Sequence, residues 1–441
     1  MRLLICNISR SLQGGVENIV ADLVRKLPSR GIDPVVGLTK GARYNDPEPY
    51  QKAFPDLPVV IIDESGKGTR QARIEALERS ILKVQPDVVL IARVYDAYEA
   101  VTRIKHRHGW PRLAVTIQAY EPHYLYDARL YRNHIDLCVT SGELVRQGVI
   151  HWSGLAADRV VNIPGGVAAP KVSRIPRAVG EPIRIGYVGR LDPGQKRALD
   201  FIGFVQRLNA RGLPYTLDLV GSGPAEEGIR AALADDIRQG RVRMHGWVGV
   251  EDLYQRIYPR LDLFAHFAHT EGVTIAPREA MAHGVVPVIS RFVGLAAEGQ
   301  FLDGANALTF PVGDLDAAVS CVMRLVEEPA TFERLSAAAA RSQGGRYSEE
   351  GAIDAWADAF KQCLERPVAT GQLPRIRHPD DGRLARIGLS PWLAQRARDV
   401  LGRRYPHDSG ANEWPTGSAM MDSVSAGEIS AVVDQLENDE S

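Results

Sequence analysis

The sequence of 441 residues predicts an α/β protein with two doubly wound domains. Short apolar runs alternate with stretches of helical periodicity through both halves of the chain, which is the pattern of parallel sheets covered by helices. Glycine-containing turns follow several of these runs, at the sheet edge where open α/β sheets bind small ligands. Hydrophobic residues make up 45% and charged residues 24% of the chain, as in ordinary soluble proteins with a large core.

Charge and cysteine usage narrow the class of protein. The formal net charge of −1 gives no sign of a bulk nucleic-acid binder. The longest apolar runs fall short of the roughly 20 residues that a membrane span needs, so we expect no transmembrane span. The cysteines are scattered without metal-ligand spacing, which predicts a reduced, cytoplasmic setting and no metal site. They are Cys6, Cys138, Cys321 and Cys363.

Residues 1–170 form the first predicted domain. Its first strand is followed by Gly14 and Gly15, which open a helix. Glycines there let the backbone approach a ligand closely, and the free amides of a helix start favour phosphate. A plain turn is the alternative interpretation of this pair. Further strands are expected at residues 35–38, 59–62, 88–91, 114–117 and 137–141.

Polar residues follow the strand predicted at 114–117. Gln118 stands directly at its end, and His123 lies five residues further on. Glutamine can hydrogen-bond a hydroxyl group but cannot act as a base, whereas histidine can. His123 either reaches a ligand at this edge or faces solvent, and the sequence leaves both open.

Residues 182–345 form the second predicted domain, which begins with a clean strand at 183–189. This strand ends at Gly189 and runs into Arg190 and Lys196. Two cations therefore follow the carboxyl end of a strand, where they could meet an anionic ligand. Ordinary surface charge is the alternative.

Two further strand ends in this domain carry turns of the ligand-binding type. Gly221 and Gly223 form a Gly-x-Gly turn that runs into Pro224. The third glycine of the dinucleotide fingerprint is missing, which disfavours a dehydrogenase. Trp247 and Val248 end the next strand.

Two carboxylates, Glu271 and Glu279, are separated by seven residues. An apolar strand runs into the first, and a short helix predicted at 277–283 carries the second. The loop between them leads into a helix start, where free amides favour phosphate. The candidate residues of this loop are Gly272, Val273, Thr274 and Ile275. Two solvated helix-end carboxylates are the alternative interpretation.

The stretch continues with Ala280-Met281-Ala282, Gly284 and Pro287-Val288. The whole string resembles the signature of the retaining glycosyltransferases of family 4 (glycosyl transferases group 1), which have the GT-B fold. This resemblance covers about residues 1–365 and implies two Rossmann-like domains that face each other across a cleft. It also implies transfer of a sugar from a nucleotide sugar to an acceptor hydroxyl, with retained configuration.

The resemblance implies a role for each residue of the second domain. Glu271 and Thr274 would contact the donor sugar, and Glu279 would hold the nucleotide ribose. Arg190 and Lys196 would clamp the diphosphate, where two fixed cations stabilise the charge of the leaving group, so that no metal ion is required. The remaining residues of the implied nucleotide site are Gly189, Gly221, Gly223, Trp247, Val248, Gly272, Val273 and Ile275.

In the first domain the resemblance makes Gly14 and Gly15 part of the acceptor loop, across the cleft from the donor diphosphate. Gln118 stands where many family members have a histidine that touches the donor sugar. The retaining mechanism proposed for the family needs no protein base, because the leaving phosphate takes the acceptor proton. Gln118 is therefore compatible with catalysis.

The implied donor is a UDP- or GDP-linked sugar that serves as substrate, with no separate cofactor, and the acceptor stays open. The basic residues 103–112 either contact acidic lipid headgroups at a membrane surface or an anionic acceptor, or they are a solvated helix end. Two other functions remain alternatives. One is a catalytically silent GT-B protein that binds a sugar nucleotide or a partner, and the other is a nucleotide-sugar epimerase acting through Glu121 and His123.

The last part of the chain changes character. Residues 346–365 are predicted to form a helix that returns toward the first domain, as in relatives of this fold. Polar residues, proline and glycine dominate residues 366–441, which predicts a mostly flexible tail. A helix is expected within it at residues 391–401.

Overall fold

The computed structural model describes residues 1–10, 12, 15–178, 180–272, 274–374, 378, 388–402, 413–417, 421 and 423–438. The predicted site residues Gly14 and Val273 lie outside the described residues. The chain divides into two compact units. The first unit is Met1–Ile163 together with Ile353–Asn438, and the second runs from Pro164 to Ala352.

Seven strands form the sheet of the first unit. They are β1 (Arg2–Asn7), β2 (Asp33–Lys40), β3 (Val59–Asp63), β4 (Val88–Ile91), β5 (Arg112–Ile117), β6 (Leu137–Thr140) and β7 (Val160–Asn162). All are parallel and lie in the order β3-β2-β1-β4-β5-β6-β7. Strands β2 and β3 follow each other on one side of β1, and β4 to β7 follow each other on the other side. The point where the strand order reverses is therefore between β1 and β4.

The helices that cover this sheet are α1 (Gly15–Lys26), α2 (Pro47–Ala53), α3 (Arg70–Val84), α4 (Asp96–His108), α5 (Pro122–Tyr131) and α6 (Glu143–Gly148). Two described helices near the C-terminus belong to the same unit. A π-helical turn, Val149–Ser153, follows α6.

Six parallel strands form the sheet of the second unit. They are β8 (Ile183–Val188), β9 (Tyr215–Val220), β10 (Val242–Gly246), β11 (Leu263–His266), β12 (Val286–Ser290) and β13 (Leu308–Phe310). Their order is β10-β9-β8-β11-β12-β13, so the strand order reverses between β8 and β11. Ligands of open α/β sheets bind outside the carboxyl ends of the strands at such a point.

The helices of the second unit are α7 (Asp200–Ala210), α8 (Glu226–Ala232), α9 (Ala234–Arg238), α10 (Val250–Asp252), α11 (Ile275–Ala282), α12 (Leu295–Glu298), α13 (Leu315–Glu327) and α14 (Pro329–Ser342). The next helix, α15 (Glu349–Glu365), has its first residues in the second unit and the rest in the first. The C-terminal helices are α16 (Pro391–Val400) and α17 (Ser423–Asn438).

Burial explains why the strands form where the apolar runs lie. All four residues of β4 and all of β11 are buried, as expected for strands covered on both faces. Two parallel, Rossmann-like sheets with helices confirm the predicted fold class. The helix predicted at 277–283 begins earlier, at Ile275, because a proline such as Pro277 is tolerated in the first turn, where its missing N–H is not needed.

Candidate active site

A charged cluster lies where the strand order of the second sheet reverses. Lys196, in the loop after β8, places its Nζ 2.5 Å from Oε1 of Glu271, in the loop after β11. The Nε2 of His266, the last residue of β11, lies 2.7 Å from the same oxygen. The Glu271 side chain is 3% exposed and that of Lys196 19%. The fold therefore brings a buried carboxylate and two nitrogen donors to the expected ligand position.

Glu271 is held in its charged form by these donors. Burial raises the pKa of Glu271, but the hydrogen bond and charge of His266 and the charge of Lys196 together bring the pKa below its usual value. The contacts with Lys196 and His266 both go to Oε1, and Oε2 accepts no hydrogen bond from the described residues. One oxygen of an ionised carboxylate is thus left for a ligand hydroxyl.

His266 was not among the residues predicted from the sequence. Its side chain is 4% exposed, and its Nδ1 has no hydrogen-bond partner among the described residues. Because the carboxylate can only accept, Nε2 carries the proton in this arrangement. The available signal was a histidine inside the apolar run 261–267, five residues before Glu271.

Glu279 lies in α11 and has a different environment. It accepts a hydrogen bond from the hydroxyl group of Tyr258 at 2.6 Å, and the Tyr254 hydroxyl also acts to lower its pKa. Burial raises the pKa of Glu279, and the two tyrosine hydroxyls only partly offset this. The two carboxylates of the sequence motif therefore have pKa values shifted in opposite directions, as is common where two acids have different tasks.

The two cations of the loop after β8 are not equivalent. Lys196 is paired with Glu271, whereas the Arg190 side chain is 60% exposed. The Arg190 guanidinium lies 3.3 Å from Oε1 of Gln195 and 3.7 Å from a carboxylate oxygen of Asp192. Arg190 is thus the solvent-accessible cation at the carboxyl end of β8.

Glycines bring the neighbouring loops of this edge into contact. Gly221 has φ +121°, and a Cβ there would lie 2.0 Å from the carbonyl oxygen of Gly189. Its N–H donates to the carbonyl of Gly246 at 2.7 Å. A side chain at Gly223 would meet the backbone of Leu191 at 2.5 Å. The loops after β8, β9 and β10 can approach so closely only because these positions are glycine.

Trp247 and Val248 follow β10 at the same edge. Trp247 is 66% exposed, which is unusual for tryptophan, and Val248 is half-buried. An exposed indole beside a ligand-type turn offers a flat surface on which a ring could stack.

The start of α11 completes this edge. Thr274 precedes the helix and is buried, but its side chain makes no capping hydrogen bond to the residues that the structure describes. The first amides of the helix, from Ile275 onward, therefore lack a side-chain acceptor among the described residues. Gly272 is half-buried in the preceding loop. Free amides at a helix start are a site for phosphate oxygens.

The remaining predicted residues lie in the first unit. Gly15 is the first residue of α1, with open space where a side chain would be. The side-chain amide of Gln118 donates to Thr116, and its Oε1 is buried with no hydrogen-bond partner in the described part of the chain. Burial lowers the pKa of His123, whose ring contacts that of Tyr124 with centroids 4.0 Å apart.

Two family models match the chain. Residues 13–169 match the model described as Glycosyltransferase Family 4, and residues 182–328 match the model described as Glycosyl transferases group 1. Together the two segments span more than half of the chain, and they follow each other without overlap. No curated protein matches the chain by sequence.

Solved glycosyltransferase structures have the same fold. The lipopolysaccharide outer core galactosyltransferase WaaB aligns with a TM-score of 0.67 and 16% identity, over 82% of this chain and 99% of its own. HepE from Anabaena, in complex with UDP and glucose, aligns with a TM-score of 0.65 and 16% identity, over 82% of this chain and all (100%) of its own. Sucrose-phosphate synthase from Thermosynechococcus elongatus gives a TM-score of 0.65 and 16% identity, over 82% and 99% of the two chains.

The sheets, the family matches and these structures together support one class of protein, a glycosyltransferase with the GT-B fold. Within that class, the matches are to family 4 in the first half and to group 1 in the second, in agreement with the resemblance of the Glu271 to Val288 string. In the part of the chain that the structure describes, no helix has the length and apolar character needed to cross a membrane.

Proposed function

We propose that the protein transfers a sugar from a UDP- or GDP-linked donor to an acceptor hydroxyl, with retained configuration and without a metal ion. The observation that carries this proposal is the buried contact of Lys196 and His266 with Glu271 at the strand-order reversal of the second sheet. The structures of HepE with UDP and of a pneumococcal O-GlcNAc transferase with UDP and GlcNAc, both of the same fold, support a uridine nucleotide.

The leaving group gains negative charge as the bond between the anomeric carbon and the diphosphate oxygen breaks. The exposed guanidinium of Arg190 and the free amides at the start of α11 would donate hydrogen bonds to the phosphate oxygens and offset their negative charge. Lys196 can bridge a phosphate oxygen and Glu271, since its ammonium has three donors. These groups stabilise the departing diphosphate without a metal ion.

The free oxygen of Glu271 would accept a hydroxyl of the donor sugar, and Glu279 would accept the ribose hydroxyls. The acceptor hydroxyl forms the new glycosidic bond on the face from which the diphosphate leaves, and its proton passes to an oxygen of that diphosphate. No base from Gln118 is then required. Trp247 would stack on the nucleobase.

We further propose that the first unit binds the acceptor and that the protein acts in the cytoplasm. The described cysteines are all free thiols, and burial raises the pKa of Cys6 and Cys138 to about 12, so these two thiols are unreactive. Such buried free thiols are typical of proteins from reducing compartments.

Turnover of nucleotide sugars tests the proposal. The purified protein is incubated with UDP- and GDP-hexoses in chelator, and nucleoside diphosphate release is measured alongside the anomeric configuration of the sugar product by NMR. Lys196→Met should lower the rate by about 100-fold or more, the usual cost of losing one electrostatic group at a leaving oxygen. Lys171→Met, at an exposed lysine of the same unit, is the matched control and should keep the wild-type rate. Inverted product, or equal rates for the two variants, would contradict the proposed mechanism.

A further inference from the structure

The first inference concerns His266, which the family resemblance assigned no role. Its ring is held between the rings of Tyr187, stacked at 6.2 Å between centroids, and Phe292, edge-on at 6.3 Å. With the ring fixed, its only described polar contact is the 2.7 Å hydrogen bond to Oε1 of Glu271. The ring therefore has one direction in which it can donate.

We propose that His266 is a positioning residue for the sugar-binding carboxylate: its Nε2–H fixes Oε1 of Glu271 and so aims Oε2 at the donor. This inference rests on the proposed function. The described groups that face Glu271 are His266 on β11, Lys196 after β8 and the neutral Tyr187 hydroxyl on β8, whose pKa is raised by burial and by the charge of Glu271. Lys196 alone, on a flexible stem, would hold Glu271 in a less defined orientation.

A pair of substitutions separates positioning from packing. His266→Leu keeps an apolar side chain of similar size but removes the donor, whereas His266→Gln places an amide N–H near the position of Nε2. His266→Leu should lower kcat for donor turnover by about tenfold or more, the cost of a lost hydrogen bond to a charged group. It should also move the acidic limb of the pH–rate profile to higher pH, because one of the groups that lower the pKa of Glu271 is gone.

His266→Gln should restore both the rate and the acidic limb toward wild type. Binding of UDP or GDP, measured by calorimetry, should be the same in all three proteins, since His266 does not reach the nucleotide. If His266→Leu leaves kcat and the pH profile unchanged, or if His266→Gln is as impaired as His266→Leu, His266 does not position Glu271. Absence of nucleotide binding in the wild type would contradict the proposed function instead.

A second, independent observation concerns the C-terminal segment. The related structures cover 82% of this chain but 99% or more of their own chains, and the helix predicted to close the family resemblance ends at Glu365. The described residues 413–417 and 423–438 therefore lie beyond what the fold requires. They belong to the first unit.

Residues 413–417, here called the strap, contact the ends of several strands. The Glu413 carboxylate accepts the backbone N–H groups of Arg43, Tyr44 and Asn45 at 2.6, 2.8 and 3.1 Å, in the loop after β2. Trp414 is 1% exposed and donates its indole N–H to the carbonyl of Lys40 at 3.1 Å. The strap is therefore anchored by charge-assisted and buried contacts.

The other end of the strap reaches the loops after β4 and β5. The carbonyl of Pro415 accepts the N–H of Tyr95 at 3.0 Å. Gly417 lies so close to His123 that a Cβ there would be 2.3 Å from the imidazole ring. Beyond the strap, α17 packs on α5 and α6, with Ile429 fully buried and its carbonyl accepting the Tyr120 hydroxyl at 3.1 Å.

All strap contacts are at the carboxyl edge of the first sheet, which is the ligand-binding edge of such sheets. We infer that the strap covers part of the acceptor side of the first unit and restricts access to His123, whose side chain is 31% exposed with the strap in place. Charged and buried anchors hold it closed, and a segment of this kind can open without unfolding the sheet.

Chemical labelling of His123 and assays of sugar transfer, both made on the same variants, test whether the strap restricts access to the first unit. A double variant, Glu413→Gln with Trp414→Ala, loses both anchors, and Trp392→Ala on an exposed part of α16 is the control. Modification of His123 by diethyl pyrocarbonate, followed by mass spectrometry, should be about tenfold faster or more in the double variant, because lost charged hydrogen bonds favour the open state. The rate of hexose transfer from a UDP- or GDP-hexose to free monosaccharides should also be higher in the double variant.

Each outcome bears on the inference. Unchanged labelling of His123 would show that the strap does not cover it. Faster labelling with unchanged transfer would contradict the gating role, and a fall in transfer would show that the strap completes the acceptor site rather than closing it. The labelling result stands even if the wild type turns over no nucleotide sugar, so it is independent of the proposed function.

Discussion

At the scale of residues, Glu271 and Glu279 show how surroundings can give one motif two kinds of acid. Glu271 is ionised because His266 and Lys196 outweigh burial, and its pKa is lowered. Burial keeps the pKa of Glu279 raised, although the hydroxyls of Tyr258 and Tyr254 and the charge of Arg278 act to lower it. The first suits contact with a polarised sugar, and the second suits hydrogen bonds to neutral ribose hydroxyls.

Glu279→Gln should separate binding from stability. A carboxyl group whose pKa is higher in the folded protein than in the unfolded chain stabilises the fold at pH values below its unfolded pKa of 4.5. This contribution is lost as the pH rises through the pKa of the folded protein. At neutral pH the buried charge is a cost that glutamine removes. We expect the ligand-free variant to melt above wild type at about pH 7 and not at about pH 4, while nucleoside diphosphate affinity falls by about tenfold or more.

Thermal melts across this pH range and calorimetric titrations measure the two effects. Glu227→Gln, at an exposed glutamate of the same unit, is the control and should change neither. A Glu279→Gln protein that binds nucleotide as well as wild type does would remove Glu279 from the site.

Sequence reasoning predicted the charged residues of the candidate site but not all of the side chains that contact them. Lys196 and Glu271 were predicted separately, and the structure places them in contact. His266 was missed because it stands inside an apolar strand run, and a histidine there gains a role only through the carboxylate five residues later. Tyr258 was missed because a buried tyrosine is usually a core residue, and only its hydroxyl contact with Glu279 distinguishes it.

At the scale of elements, the glycine turns decide whether the nucleotide edge can form. Gly221→Ala combines a backbone angle that favours glycine with a Cβ 2.0 Å from the Gly189 carbonyl. We expect a loss of more than about 3 kcal/mol in the free energy of unfolding, because no flexible side chain can move aside. Denaturant unfolding measures it.

Gly240→Ala is the matched control. Gly240 also has a positive φ, +74°, but open space surrounds its Cβ position. The loss in the free energy of unfolding should be limited to the cost of the left-handed backbone conformation, about 1–2 kcal/mol. Equal losses for the two variants would show that the close approach of the loops is not what requires glycine at Gly221.

The strands were the most predictable elements, because continuous apolar runs buried on both faces leave few alternatives. The predicted run 88–91 is observed as β4, and the helix expected at 391–401 is observed as α16. Helix α17 was not predicted, because the segment was judged by its polar and acidic residues, although Ile429, Val432, Val433 and Leu436 have the i, i+3, i+4, i+7 spacing of an amphipathic helix. Its position depends on tertiary contacts of residues such as Ile429 with α5 and α6.

At the scale of the whole molecule, the two units should respond differently to a nucleotide. Hydrogen exchange with and without UDP or GDP should show protection in the loops after β8 and β11 and at the start of α11. The loops after β4 and β5 in the first unit should be unaffected by the nucleotide alone, because their proposed ligand is the acceptor. Protection confined to the first unit would reverse the proposed division of roles.

The most direct test of the central claim is whether the second unit binds a nucleoside diphosphate. Thermal shifts of the full chain are measured with UDP, GDP, ADP and their sugars, for wild type, Lys196→Met and Lys171→Met. Binding to the folded state raises the melting temperature with occupancy. We predict that one base family stabilises wild type and Lys171→Met and that Lys196→Met loses the shift. If no nucleotide shifts the wild type, the protein does not use a nucleotide-sugar donor, and the glycosyltransferase mechanism proposed for it is wrong.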